Sequence, residues 1–287
     1  MIQDRLYKPT KDELTYHYCG AEAFTAMIRS RTIWHTAYSA LNDATERKWG
    51  FTQFQDAADK LRKDCGAEFI DRITENVRLT QDYSVAMISS YSLNGDLLSQ
   101  WRAYADDGRG FAIGFSFQEL EMPAKPLRVL YDSAAQRHEL TNNIKHVFET
   151  ERRLGFKYNE QFRQHWFHFG LDLCAYKHPS FAEEMEIRRV HISAAALSKD
   201  SKRIFPLGAI DGDGVRRSGP VEVQFRVRGG VQIPYVSLDM TDGGKNSPIK
   251  EIVLGPKNPD EEENIEAFLA NAGWTNVGIR RSEVPYR

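Results

Sequence analysis

Seven residues in the middle of the chain, Phe111-Ala-Ile-Gly-Phe-Ser-Phe117, alternate without exception between large apolar and small side chains. Successive side chains of a strand point to opposite faces, so Phe111, Ile113, Phe115 and Phe117 share one face, and Ala112, Gly114 and Ser116 share the other. Four large apolar groups on one face require a core against it. The small face has two readings: close approach of a ligand or another backbone, or a tightly packed helix. Either way, the fold contains a sheet with material against it.

The rest of the chain mixes both periodicities. Residues 14–19 (LTYHYC) and 32–38 (TIWHTAY) read as strands, separated by a helix carrying Phe24, Met27 and Ile28 on one face. Leu41-Asn42-Asp43 reads as a turn. Over residues 54–77 apolar positions recur every three or four residues, an amphipathic helix with an interruption near Gly66. A strand at 84–91 follows, then a helix with Trp101 and Tyr104, capped by Asn94 or Asp96 and ended by Gly108. Residues 134–176 are helical, and the stripe Phe162, Trp166, Phe169, Leu173, Tyr176 reads as core. After the break at His178-Pro-Ser180, residues 181–192 read as a strand. Two Gly- and Asp-rich loops, DGDGVRRSGP and MTDGGKNSP, flank a strand near 221–227. The C-terminal portion reads as strand (249–254), helix (261–272) and strand (277–282). With no linker or repeat, the expectation is a single α+β domain over residues 1–287 with helical insertions.

Composition narrows the function classes. A net charge of −2 provides no global field toward nucleic acid or anionic lipid. Cys19, Cys65 and Cys174 form no C-x-x-C pair, which points to reduced thiols and a cytoplasmic location. The first residues, MIQDRLYKPTKDEL, lack the apolar segment of a signal peptide, and no apolar run approaches the roughly 20 residues of a membrane span. A soluble protein with no membrane partner is expected. The scattered histidines form no H-E-x-x-H pattern, so no metal is expected. Gly108-Arg-Gly110 and Gly229-Gly230 lack the context of a phosphate loop. Arg216, Arg217, Arg226 and Arg228 read as a solvated face.

The segment richest in chemistry is Phe181-Ala-Glu-Glu-Met-Glu-Ile-Arg188. On a strand, Glu184, Glu186 and Arg188 share one face, while Met185 and Ile187 turn to the core. An arginine two residues away can keep a carboxylate ionised; an intrastrand ion pair on a solvated face is the plainer alternative.

Several segments together resemble the bacterial domain-of-unknown-function family 2971: Tyr16-His17-Tyr18, Leu41-Asn42-Asp43 with Glu46, Gln100-Trp-Arg-Ala-Tyr-Ala105 running into Gly110-Phe-Ala-Ile-Gly-Phe115, and Tyr176-Lys177 with Phe181, Glu184, Glu186 and Arg188. The resemblance spans about residues 14–255, leaving a C-terminal helix and strand in 256–287. The family's usual Asn-Asp-Pro turn reads Asn42-Asp43-Ala44, and its usual Trp before the glutamates is Phe181. Its layout is similar to that of ADP-ribosyltransferases, which implies a split β-sheet with helical insertions and NAD as substrate. On that resemblance Glu186 is the catalytic glutamate, with Glu184 as second carboxylate. His17 binds the NAD ribose. Tyr38 or Trp34 packs on nicotinamide, and Asn42 and Arg188 join the nucleotide site. His17 and Glu186 are then expected on neighbouring strands along one cleft.

The implied activity is NAD-dependent ADP-ribosyl transfer to a macromolecular acceptor, as a toxin or phage-defence effector with a neutralising partner; a nucleic-acid acceptor is open but not indicated by charge. The rivals are an NAD glycohydrolase and a non-catalytic nucleotide sensor. A nuclease built on Glu184, Glu186 and Asp43 would need a divalent metal.

Overall fold

The computed structural model describes residues 5–40, 46–197, 202–207 and 219–286. The turn expected at Leu41, Asn42 and Asp43, positions 211–218 of the first Gly-rich loop, and hence Arg216 and Arg217, lie outside them.

The alternating segment is a central strand. β4 (Phe111–Ser116) lies between β1 (Leu14–Cys19) and β10 (Ile249–Leu254), with all six residues buried. Its large face joins the main core; the Phe111 ring stacks at 4.0 Å on Phe24 of α1 (Ala21–Ser30), and Leu269 of α7 (Glu262–Asn271) lies in the same core. On the small face, Ala112 packs against Tyr18 and Trp101 of α4 (Leu98–Tyr104), so helix packing is the reading that holds. A Cβ at Gly114 would lie 3.0 Å from the Tyr16 ring and 3.2 Å from Glu251 Cβ. Gly114→Val is therefore expected to cost about 1–3 kcal/mol by overpacking. It should leave ligand affinity unchanged, because β4 does not line the cavity described below. A denaturation midpoint equal to wild type would refute the tight fit.

The sheet splits at β3 (Ser84–Ser92). One edge of β3 pairs along its whole length with β6 (Glu186–Leu197). The other edge is shared: β1 pairs at Ser92, and β2 (Thr32–Ala37) pairs at Met87 and Ile88. Between these two contacts, residues 89–91 have no ladder partner on either strand. Beyond β2 come β9 (Val231–Asp239) and β8 (Val223–Arg228), and beyond β10 comes β11 (Gly278–Arg281). β5 (Lys125–Arg128) and β7 (Lys202–Phe205) pair with the far edge of β6. Among the described residues only β10 and β11 run parallel. The fold is α+β, with a large, mostly antiparallel sheet.

Two helical insertions form a second core. α2 (Glu46–Cys65) and α3 (Ala67–Tyr83) sit between β2 and β3, and α5 (Ser133–Leu154) and α6 (Glu160–Asp172) between β5 and β6. Phe54, Ile73, Leu140, Trp166 and Phe169 bury their side chains together, and the aromatic stripe is core as read. The break between α2 and α3 falls at Gly66, whose φ of 83° suits glycine. No helix among the described residues is long and apolar enough to cross a membrane.

Three readings are corrected. Residues 181–192 are not one strand: a 3₁₀ turn covers Pro179–Glu184, Met185 takes a left-handed φ of 45°, and β6 begins at Glu186. That turn leaves Met185 exposed, whereas Ile187 is buried as expected. Neither Asn94 nor Asp96 caps α4. Asp96 instead accepts from Trp101 Nε1 at 2.7 Å and from the Glu283 amide at 2.8 Å, tying the C-terminal segment to the helix. β5, β7 and β9 were not foreseen at all.

Candidate functional site

The split creates the site. Because neither β1 nor β2 covers residues 89–91, the Ser90 carbonyl needs a partner from elsewhere. His17 supplies it, with Nδ1–H donating at 2.9 Å. That bond fixes the tautomer with Nε2 as an acceptor. Burial, with Arg226 adding to it, pushes the His17 pKa down against the pull of the Ser90 bond, so the ring is neutral at pH 7. A cavity of about 560 Å³ opens here, within the size range of small-molecule sites. It is lined by His17, Trp34, Lys177, Glu184, Glu186 and Arg188, among others.

One end of the cavity is a buried ionic network. Arg188 is fully buried and grips Glu186 bidentately, Nε to Oε1 and Nη2 to Oε2, both at 2.8 Å. Lys177, 3% exposed, donates to Glu184 Oε2 at 2.5 Å and to Glu186 Oε2 at 3.2 Å. Tyr131 hydroxyl accepts from the Glu186 amide at 3.0 Å. Among the described residues, two cations thus offset two carboxylates, as buried charge requires. Burial works against the Lys177 charge, but Glu186 and Glu184 override it and hold the ammonium above its ordinary range. Burial and then Glu186 raise the Glu184 carboxyl, with Lys177 opposing. Both Glu186 oxygens are engaged, whereas Glu184 Oε1 has no hydrogen-bond partner among the described residues. Glu184 is the carboxylate with capacity left for a ligand.

A second part of the wall comes from strand register. Trp34 pairs with Ser237 and Thr36 with Tyr235 across β2–β9, and Tyr235 with Gln224 and Ile233 with Arg226 across β9–β8. Directly paired residues share a face, so Trp34, Thr36, Tyr235 and Arg226 all point the same way. The Trp34 and Tyr235 rings lie 5.3 Å apart, the Arg226 guanidinium sits 4.9 Å above Trp34, and it donates to Thr36 Oγ1 at 3.0 Å.

The structure brings His17, Trp34, Glu184, Glu186 and Arg188 around one cavity. His17 and Glu186 are not on neighbouring strands; they sit on β1 and β6, which flank β3. Tyr38 does not line the cavity. Its ring lies 5.5 Å from the Arg188 guanidinium, behind the network. Burial raises its pKa to about 12, with Arg188 opposing. Asn42 is outside the described residues. Lys177 entered the sequence reading only as part of the resemblance, Arg226 and Arg228 read as a solvated face, and Tyr131 was not singled out. A lysine two residues before a proline, between an apolar helix and a Glu-x-Glu, was the only local hint of the first.

Residues 100–189 match the family described as Protein of unknown function (DUF2971). The DUF2971 match spans most of α4, all of β4 and the Lys177, Glu184, Glu186 and Arg188 network, whereas His17, Trp34 and Arg226 come from outside it. Comparison with curated proteins gives no match, and comparison with solved structures gives none either.

Proposed function

We propose that the cavity binds NAD as a substrate and that the protein transfers its ADP-ribosyl group to an acceptor. The observation carrying this reading is the shared cavity: a neutral histidine, an indole and two carboxylates surround a space of about 560 Å³. His17 Nε2 accepts a ribose hydroxyl, and Trp34 gives the nicotinamide ring a face to stack on. Breaking the bond from C1′ of ribose to the nicotinamide nitrogen sends the bonding pair to nicotinamide and develops positive charge on the sugar. Glu186, fixed by Arg188 and Lys177, is a preorganised negative group beside that charge. Glu184 Oε1 takes the proton from the acceptor as the acceptor's oxygen or nitrogen bonds to C1′. Its raised pKa suits a general base.

One observation favours a second reading. Glu186 is already saturated with donors, as in a site that binds without turnover. Incubating the protein with NAD labelled on the adenylate, in a cell lysate, decides among the outcomes. Label on a macromolecule with equimolar free nicotinamide supports transfer. Nicotinamide without labelled acceptor means a glycohydrolase, and NAD binding without nicotinamide release means a sensor.

A further inference from the structure

The two arginines on the β8–β9 hairpin have no place in the chemistry above. β8 alternates, so Gln224, Arg226 and Arg228 share the face toward the cavity, and both arginines line it. Neither meets a carboxylate among the described residues. Arg226 is half-buried over Trp34, and its Nε is buried with no hydrogen-bond partner. Burial, then Arg228, pushes its pKa down, so the two guanidinium groups lie close enough to repel. Two neighbouring cations on a cavity wall, one with an orphaned donor, cost stability unless an anion joins them. The hairpin closes through Gly229-Gly230, with φ of 56° and 79°, a two-residue turn that holds both side chains in register with Trp34.

We infer that Arg226 and Arg228 form an anion subsite at the hairpin end of the cavity, and that it takes the pyrophosphate of the nucleotide. Guanidinium groups match phosphate oxygens bidentately, and the indole beneath Arg226 keeps its donors aimed. The cavity then offers two guanidinium groups for the phosphates and two carboxylates for the sugar. Naming the anion as the pyrophosphate of NAD rests on the proposed function; an anion subsite does not.

The test is calorimetry on the whole chain with four probes: NAD, ADP, inorganic pyrophosphate and nicotinamide riboside. Arg226→Gln and Arg228→Gln should each weaken pyrophosphate, ADP and NAD by about tenfold or more, the scale of losing a charged hydrogen bond. Nicotinamide riboside, which lacks the pyrophosphate, should bind both variants as it binds wild type. Arg226 packs on Trp34, so a thermal melt accompanies that variant. Arg228 is exposed, and its variant tests the subsite without a folding risk. Pyrophosphate that fails to bind wild type, or binds both variants equally well, overturns the subsite. If the phosphates bind through the arginines but NAD is never consumed, the subsite stands and the transfer reading falls. If NAD is consumed with the same KM in both variants, the transfer reading stands and the subsite falls.

Discussion

Replacing Glu186 with glutamine is expected to lower both stability and turnover, by amounts that separate its two roles. The carboxylate accepts two bonds from Arg188 and one from Lys177, in a place where Arg188 has no exposure to water. Glutamine keeps the volume but removes the charge, and one end of its amide presents hydrogens to cations that are themselves donors. Among the described residues, the network charge goes from two cations against two carboxylates to two against one. Removing one partner of a buried pair costs roughly 3–5 kcal/mol, because the remaining charge has lost its compensation. An exposed ion pair on this protein, such as Arg78 with Glu75, would cost at most about 1 kcal/mol by the same change. The melting temperature should fall by roughly 10 °C on this scale. In the fraction still folded, nicotinamide release should drop about 100-fold or more, while NAD affinity changes much less, since the ground-state ribose carries no positive charge. Glu184→Gln should be milder for stability, because it breaks one contact rather than three. A folded Glu186→Gln protein with the wild-type melt and wild-type nicotinamide release would refute both the network energetics and the catalytic role.

Much of the scaffold was legible in local pattern. β1 and β10 fall at the residues where apolar and β-branched side chains begin and end, and the α2–α3 break falls at Gly66. What stayed hidden depends on pairing between distant segments. β9 contains Pro234 and a mixed pattern, and it is a strand because β2 and β8 hold it from both sides. Arg226 read as solvated surface because nothing local reveals that it pairs with Ile233, or that the next strand brings Trp34 beneath it. Tyr38 was misplaced for a related reason. β2 ends at Ala37, so alternation no longer decides where the next side chain points, and its partner Arg188 is 150 positions away. The Glu-x-Glu segment was recognised for its chemistry but misread in shape. Met185 turns left-handed, and that turn brings Glu184 and Glu186 onto the same lysine.

Lys177 should therefore control the ionisation of the site, and Lys177→Met is expected to make both stability and activity strongly pH-dependent. Methionine retains most of the apolar stem and removes the charge, so that Arg188 is the cation left on the two buried carboxylates among the described residues. Arg188 stays bidentate on Glu186, so Glu184, already raised by burial and by Glu186, is the group that takes up a proton. A carboxyl whose folded pKa lies above its unfolded value of 4.5 contributes stability that is fully present below that pH. The contribution is lost as pH rises through the folded pKa. In wild type the loss is smaller, because Lys177 opposes the rise of the Glu184 pKa, while the ammonium's own raised pKa keeps its stabilising contribution constant over this range. The wild-type melting temperature should thus fall less than that of the variant between pH 5 and 8. Lys177→Met should lose stability more steeply over the same window, by about 1.4 kcal/mol more for each unit by which Glu184 is raised further. The two proteins should be closest in stability at the acid end. Under the proposed chemistry, a protonated Glu184 cannot accept the acceptor's proton, so the acid limb of the pH–rate profile should move to higher pH in the variant. Melts at unit pH steps alongside nicotinamide release would measure both. Parallel curves for wild type and variant would mean that Lys177 does not hold Glu184 ionised. A steep melt with an unmoved rate profile would keep the network but remove Glu184 from the proton transfer.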